Sequence, residues 1–344
     1  MSGLRVAVVG ATGAVGTVML RLLRERGFPA SEVVPFASER SVGRELDGGL
    51  VVAALDDETI RGFDVALFSA GATRSREWAR RFVDAGAVVV DNSSAFRRDP
   101  AVPLVVSEVN PAALERHEGI VANPNCTTMV AMLPLKALHD AFNLRAIVAT
   151  SFQAAGGAGQ RGIDELAAQI APLAADVRQL CDDGAAAAAK VPHAVHAATL
   201  AFNVVPQLGT VGEDGYTDEE LKLRDESRKI LAIPDLAVSP TCVRVPVMVG
   251  HGVAVRATFA EEVDLRRALG LLRAFPNLVV DDVPTPLAYA GRDEVAVGRI
   301  RRDLADPHAL NFFVVGDNLL KGAALNTVQL AEALHERGLV GSRV

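Results

Sequence analysis

No stretch of this sequence is apolar for long enough to cross a bilayer, and the opening run LRVAVVG gives way to GATGAVG before it reaches the length of a signal-peptide core. Cysteine is scarce: Cys126, Cys181 and Cys242 are odd in number and far apart, which excludes a disulfide framework and a C-x-x-C metal site. A basic excess is also missing. With 35 Lys and Arg against 42 Asp and Glu, the net charge of -7 argues against a nucleic-acid or anionic-membrane surface, so any anionic partner must be met by a few placed cations. The expectations are a reducing, cytoplasmic setting, no metal, no membrane and no nucleic acid. What is present is a chain of 344 residues, half of them apolar, with room for two domains and substantial cores.

The first 125 residues alternate short β-rich runs with helical patterns. Strands are expected at 5–9, 32–37, 64–70, 87–92, 104–109 and 119–123. Between the first two, GAVGTVMLRLLRERG carries apolar residues at helical spacing, Arg in its last turn and Gly27 as a stop. Near-continuous apolar strands joined by helices predict a Rossmann-like, doubly wound parallel sheet. After Cys126 the runs lengthen and alternate: LRAIVATSFQAA, TLAFNVVPQ, TCVRVPVMVGHGVAVRATFAE and ALNFFVVGDN read as mostly antiparallel strands of an α+β domain with a mixed sheet. The segment 181–198, CDDGAAAAAKVPHAVHAA, is open between a helical arm, a loop and a mobile piece.

Gly10, Gly13 and Gly16 in VAVVGATGAVG follow the first strand and enter a helix. Glycines there permit a tight turn and let backbone N–H groups approach a pyrophosphate at the helix N-terminus. The spacing is one residue off the common fingerprint, and glycines also serve ordinary turns. The second strand ends in FASERSVG, where Ser38, Arg40 and Ser41 surround Glu39. Hydroxyls and a guanidinium suit a 2′-phosphate, which favours NADP, while Glu39 is the acid an NAD enzyme would use, or a solvated partner of Arg40.

In VANPNCTTMV, Cys126 stands at a strand-to-helix junction, with Asn125 before it and two threonines after. A helix N-terminus favours the thiolate, which is the nucleophilic form, although an isolated cysteine is more often a small buried hydrophobe. His251, flanked by glycines in VGHGV, is the residue type that usually assists a thiol. Arg244 lies seven positions earlier, a separation that puts the two side chains on opposite faces of a regular strand unless Pro246 or Gly250 breaks it. Glu219 and Lys222 share one helix face at i,i+3, which alone reads as a surface ion pair.

Taken in order, GATGAVG, FASERSVG, FSAGA, VDNSSAFR, VPLVVSEVN, NPNCTT, AFNVVPQ, GYTDEELK, CVRVPVMVGH and DNLLKGAALNTVQLAE resemble the bacterial type of aspartate-semialdehyde dehydrogenase nearly end to end. That resemblance implies Cys126 as nucleophile, His251 as acid/base, Gln153 orienting the substrate and Asn125 polarising the reacting carbonyl. It implies Arg244 for the substrate carboxylate, Glu219 for its ammonium, and Arg97 and Lys222 for phosphate. On the cofactor side it implies Gly10, Ala11, Thr12, Gly13, Ala14, Val15 and Gly16, then Ser38, Arg40 and Ser41. Ser69, Ala70, Gly71, Gly157 and Asn318 complete that set.

A position for Asn318 near the nicotinamide implies that the last helix returns to the first domain. The expected domains are therefore 1–125 plus about 319–344 for NADP, and 126–318 for catalysis and dimerisation. The implied reaction interconverts L-aspartyl-4-phosphate and L-aspartate semialdehyde, with inorganic phosphate and NADP, in a homodimer or homotetramer. A related acyl-phosphate or acyl-CoA reductase, or a non-catalytic dinucleotide-binding paralogue, are the alternatives. Gly252 and Gly156 depart from the residues common in the family.

Overall fold

Runs such as VAVV, VALF and VVVD are apolar on both faces, and the strands they form are buried throughout, as a parallel sheet covered on both sides requires. The computed structural model describes residues 3–340. Its first seven strands are β1 (Leu4–Val9), β2 (Ala30–Phe36), β3 (Glu45–Leu46), β4 (Leu50–Val51), β5 (Val65–Phe68), β6 (Val88–Asp91) and β7 (Ile120–Ala122). All but the β3–β4 hairpin form a parallel sheet in the order β2-β1-β5-β6-β7. The order reverses at β1, so the loops after β1 and β5 open at the topological switch point where such sheets bind ligands. The helix Ala14–Glu25 turns Met19, Leu22 and Leu23 inward, and Gly27 closes it at φ 63°.

The chain divides into two compact units. One takes the described residues up to Asn125, Arg228–Ile233 and those from Leu319 on; the other takes Cys126–Ser227 and Pro234–Asn318. Within the first, Leu320, Leu325, Val328, Leu330 and Leu334 of the C-terminal segment share one core with Val6, Val8, Leu67 and Val121.

The second unit is built on β8 (Leu144–Gln153), β9 (Ala237–Arg244), β10 (His251–Phe259), β11 (Leu278–Val280), β12 (Val295–Arg302) and β13 (Ala309–Gly316). They form a mixed sheet in the order β11-β12-β13-β10-β8-β9, parallel at β11–β12 and β8–β9 and antiparallel elsewhere. The helix Cys126–Phe142, apolar on nearly every face, buries Met129, Val130, Met132, Leu133 and Leu138. A helix buried all round is held by its packing rather than by its intrinsic propensity.

Three readings of the sequence need correction. Residues 104–109 make only a single bridge, Leu104 to Ala122. The Asn110 side chain accepts from the Val106 N–H at 2.9 Å and donates to the Leu104 carbonyl at 2.9 Å, so it takes groups that a strand ladder would use. TLAFNVVPQ likewise pairs only at Val205 with Arg244, its run interrupted by Phe202 at φ 59°. The long run from Thr241 to Glu261 is two strands, β9 and β10, with 245–250 as a connection. Segment 181–198 resolves into the end of the helix Val177–Asp182, the helix Gly184–Ala188 and turns, with Asp176 and Asp183 capping the two helices.

Candidate active site

Gly10 follows β1 with φ 91°, a conformation that suits glycine, and a Cβ there would strike the Ser69 carbonyl. A Cβ at Gly16 would strike Gly10. The loop Gly10–Gly16 thus closes on itself and against Ser69 and Ala70, and it leads into a helix whose N-cap, Gly13, offers no side chain to its first N–H groups. Uncapped helix N–H groups beside a glycine turn fit a pyrophosphate. Gly71, at φ 82°, precedes the helix Ala72–Asp84. Ser38 stands at the N-cap position of a short 3-10 turn, Glu39–Ser41, without a side-chain cap bond, and Glu39 and Arg40 are exposed.

In the same unit Arg97 is buried, donating from Nε to the Asn123 carbonyl at 2.9 Å and from Nη2 to the Asn92 carbonyl at 2.8 Å. Asn125 is also buried. Lys229 donates to the carbonyls of Arg97, Asp99 and Val102 at 2.7–2.9 Å, fixing the backbone around Arg97.

The second unit brings most of the other candidates together. Cys126 opens its helix half-buried, with Sγ 3.2 Å from His251 Nε2. The puzzle of Arg244 and His251 dissolves, since they lie on different strands: Arg244 ends β9, Gln153 ends β8 as its register partner, and His251 begins β10, antiparallel to β8. All three therefore project from one end of the sheet. The connection between them is pinned: Val247 and Met248 carbonyls accept from Ala155 and Gly156, and Asn318 Oδ1 accepts from Gly250 N at 2.8 Å. Gln153 donates to Ser151 Oγ at 3.2 Å and Glu219 Oε1 at 3.3 Å. Lys222 Nζ is 3.1 Å from Glu219 and 2.8 Å from Asp218.

The profile of the semialdehyde dehydrogenase NAD binding domain matches residues 5–117, and that of its dimerisation domain matches 135–321. An aspartate-semialdehyde dehydrogenase of Streptomyces akiyoshiensis is 52% identical over 333 residues, covering 96% of this chain and 98% of that protein. One from Mycolicibacterium smegmatis is 51% identical, with 96% and 98% covered. The chain belongs to the aspartate-semialdehyde dehydrogenase family. The crystal structure of aspartate semialdehyde dehydrogenase II from Vibrio cholerae, complexed with ASA, superposes with a TM-score of 0.90 at 40% identity, covering 98% of this chain and 99% of that one. As a member of the family, the protein is a nicotinamide-dependent oxidoreductase of amino-acid biosynthesis.

Within an aspartate-semialdehyde dehydrogenase the protonation state of the histidine matters, and here the backbone sets it. Nδ1 of His251 accepts the Ala154 N–H at 3.1 Å, so the proton of the neutral ring sits on Nε2, towards Sγ. Complete burial, and then the nearby Arg244 guanidinium, push its pKa down to about 3, outweighing Glu219. Burial opposes the charge of Lys222, but Glu219 and Asp218 outweigh it and raise its pKa. Burial pushes the Cys242 thiol up to about 12, which makes it a packing residue.

Ala154, Glu165, His196, Gln207 and Gly209 carried no sequence signal. Ala154 acts through its N–H and its carbonyl, which accepts from Arg244 Nη1 at 2.6 Å. A Cβ on Gly157 would lie 2.7 Å from that Nη1 and 3.2 Å from His251 Cε1, so in this unit Gly157 leaves room for the Arg244 and His251 side chains. His196, Gln207 and Gly209 line a cavity of about 250 Å³ with Arg244, and Glu165 holds its rim by accepting from the N–H groups of Ala194, Val195 and His196. The departures from the common family residues also have local causes. Gly252 makes room for the Phe313 ring, and Gly156 lets its segment close on Met248.

Proposed function

We propose that this enzyme reversibly reduces L-aspartyl-4-phosphate to L-aspartate semialdehyde, with Cys126 as the covalent nucleophile and NADP as the cofactor. The observation that carries the reading is the Cys126–His251 contact of 3.2 Å in one unit with Arg244, Gln153 and Glu219. The Vibrio cholerae relative bound to ASA supports the substrate. Arg244 suits its carboxylate through a bidentate pair, and Glu219 suits its ammonium. Arg97 and Lys222 serve phosphate, while Asn125 polarises the carbonyl.

The unit carrying the glycine loop is the dinucleotide domain, with the 2′-phosphate read by Ser38, Arg40 and Ser41, the pyrophosphate by residues 10–16, and the nicotinamide end by Ser69, Ala70 and Gly71. In the other unit Asn318 is assigned to the cofactor, while Gly157, which the resemblance also assigns there, is read from its neighbours as room for Arg244 and His251. The other unit, Cys126–Ser227 with Pro234–Asn318, is catalytic and provides the dimer contact, within a homodimer or homotetramer. No described helix is long and apolar enough to cross a membrane, and a cytoplasmic enzyme is the reading we adopt.

Bound dinucleotide donates or takes up hydride; the protein does the rest. Cys126 thiolate attacks the acyl phosphate carbonyl, and the tetrahedral oxyanion collapses to a thioester as phosphate leaves with a proton from solvent. Hydride addition to the thioester carbon gives a second oxyanion, which collapses to aldehyde and regenerates the thiolate. His251 holds a proton at Nε2, where it hydrogen-bonds to the thiolate and then to each oxyanion. Its part as hydrogen-bond donor is thus ready in place. To act as a base there, the ring must take the other tautomer and release the Ala154 N–H.

Initial rates with the semialdehyde, inorganic phosphate and either NADP or NAD test the reading. Cys126→Ala should abolish phosphate-dependent turnover while dinucleotide binding stays nearly intact. Substantial residual turnover would refute the covalent route, and equal rates with NAD would refute the cofactor preference.

A further inference from the structure

The buried cation Lys321 has no part in this chemistry. It lies on the π-helical segment Leu320–Ala324, is fully buried, and donates to four oxygens: Glu108 Oε2 at 2.5 Å, Gln329 Oε1 at 2.7 Å, Ser107 Oγ at 3.1 Å and Asn326 Oδ1 at 3.1 Å. Leaving Glu108 alone in the core would be costly, so the pair has a structural use. Its reach extends further through Asn326.

With its oxygen taken by Lys321 and by the Ser107 N–H at 3.0 Å, the Asn326 amide can face only one way. Its Nδ2 then donates to the Val105 carbonyl at 3.0 Å and to Asn123 Oδ1 at 2.6 Å. That orients Asn123, whose own Nδ2 donates to Asn92 Oδ1 at 2.7 Å. The carbonyls of these same two residues, Asn123 and Asn92, accept Nε and Nη2 of Arg97. Each amide has its donor and acceptor ends assigned by its neighbour, and the chain of assignments starts at a group that can only donate.

We propose that Lys321 and Asn326 are positioning residues for the phosphate site: they fix the two carbonyls that set the plane of the Arg97 guanidinium. The proposal rests on the reading of Arg97 as a phosphate ligand. A guanidinium binds a tetrahedral anion through a planar fork, so a tilt of its plane weakens phosphate binding selectively.

The test measures KM for inorganic phosphate, semialdehyde and dinucleotide in the oxidative direction. Asn326→Asp keeps the acceptor for Lys321 and removes the donor to Asn123. It should raise the phosphate KM about tenfold, the order expected for misplacing one charge-assisted hydrogen bond, with the other two KM values within about twofold. Lys321→Met combined with Glu108→Gln, which leaves no unpaired buried charge, should act in the same direction. Because the network works through Arg97, adding Asn326→Asp to Arg97→Lys should raise the phosphate KM no further than Arg97→Lys alone.

An unchanged phosphate KM in Asn326→Asp, a parallel loss in all three KM values together with a lowered Tm, or multiplying effects in the combined variant would each overturn the proposal. Should Arg97→Lys leave the phosphate KM unchanged, the reading of Arg97 falls first, a result distinct from failure of the network alone.

Discussion

Gly157→Ala adds one methyl at the point where the Arg244 guanidinium and the neutral His251 ring meet. The new Cβ would sit 2.7 Å from Arg244 Nη1 and 3.2 Å from His251 Cε1, where ordinary contact begins at 3.4 Å. The guanidinium must therefore recede by about 0.7 Å and the ring by about 0.2 Å. The ring has little freedom, because it is completely buried and its Nδ1 is held by the Ala154 N–H. Arg244 has more room to yield, but doing so strains its 2.6 Å bond to the Ala154 carbonyl.

Overpacking of this kind costs about 1 to 3 kcal/mol in a core. Here the lower end applies, since the end of a long side chain can move. The functional cost is larger: misplacing a binding group by roughly 1 Å lowers rates by about 10²-fold. We expect kcat/KM for the semialdehyde to fall by about 10²-fold, mainly through KM, with Tm lowered by only a few degrees. Dinucleotide affinity, followed by quenching of nicotinamide fluorescence, should be nearly unchanged. If the variant instead loses dinucleotide affinity and keeps its semialdehyde kinetics, Gly157 is a cofactor residue and the steric argument is wrong.

Two further outcomes can be checked. The folded-state pKa of His251, about 3 against an ordinary 6.5, means that the unfolded chain binds a proton below pH 6.5 that the folded one refuses. The associated stability is complete above that pH and is lost as pH falls from 6.5 towards 3. Urea unfolding should show about 2 kcal/mol more loss between pH 7 and pH 5 for the parent than for His251→Gln, and equal losses would contradict a buried neutral imidazole. Arg40→Ala should raise the KM for NADP about tenfold and leave that for NAD unaltered, as expected for a lost charge-assisted contact; equal effects on both would place Arg40 away from the 2′-phosphate.

Much of this molecule was legible in order. The first sheet declared itself because its strands are buried on both faces and read as unbroken apolar runs, and the residues of NPNCTT and GATGAVG stand at strand-to-helix junctions that the same runs define. Residues 104–109 misled for the opposite reason: their composition suits a strand, but a single side chain, Asn110, captures the backbone groups a ladder needs. The period-two argument about Arg244 and His251 kept them apart only on one unbroken strand, and the break it allowed for at Pro246 or Gly250 is present, since 245–250 joins two strands. Ala154 was illegible in principle, since its contribution is a backbone N–H and carbonyl that any residue but proline supplies. Asn326 and Lys321 were quoted within a motif, but their pairing with Asn123 and Glu108 joins positions more than 200 apart, which no local pattern discloses.

The arrangement of Gln153, Arg244 and His251 at one end of three strands has a bearing on how the chain can vary. Each side chain reaches the site because its strand terminates at the right register, so adding or deleting one residue inside β8, β9 or β10 would turn its functional group to the other face of the sheet. The same change on the far side of the sheet, in the turn between β12 and β13, moves nothing at the site. Length variation among relatives should therefore collect in such distant turns, whereas the six residues joining Arg244 to His251, fastened at Val247, Met248 and Gly250, should keep their number even where their identities drift.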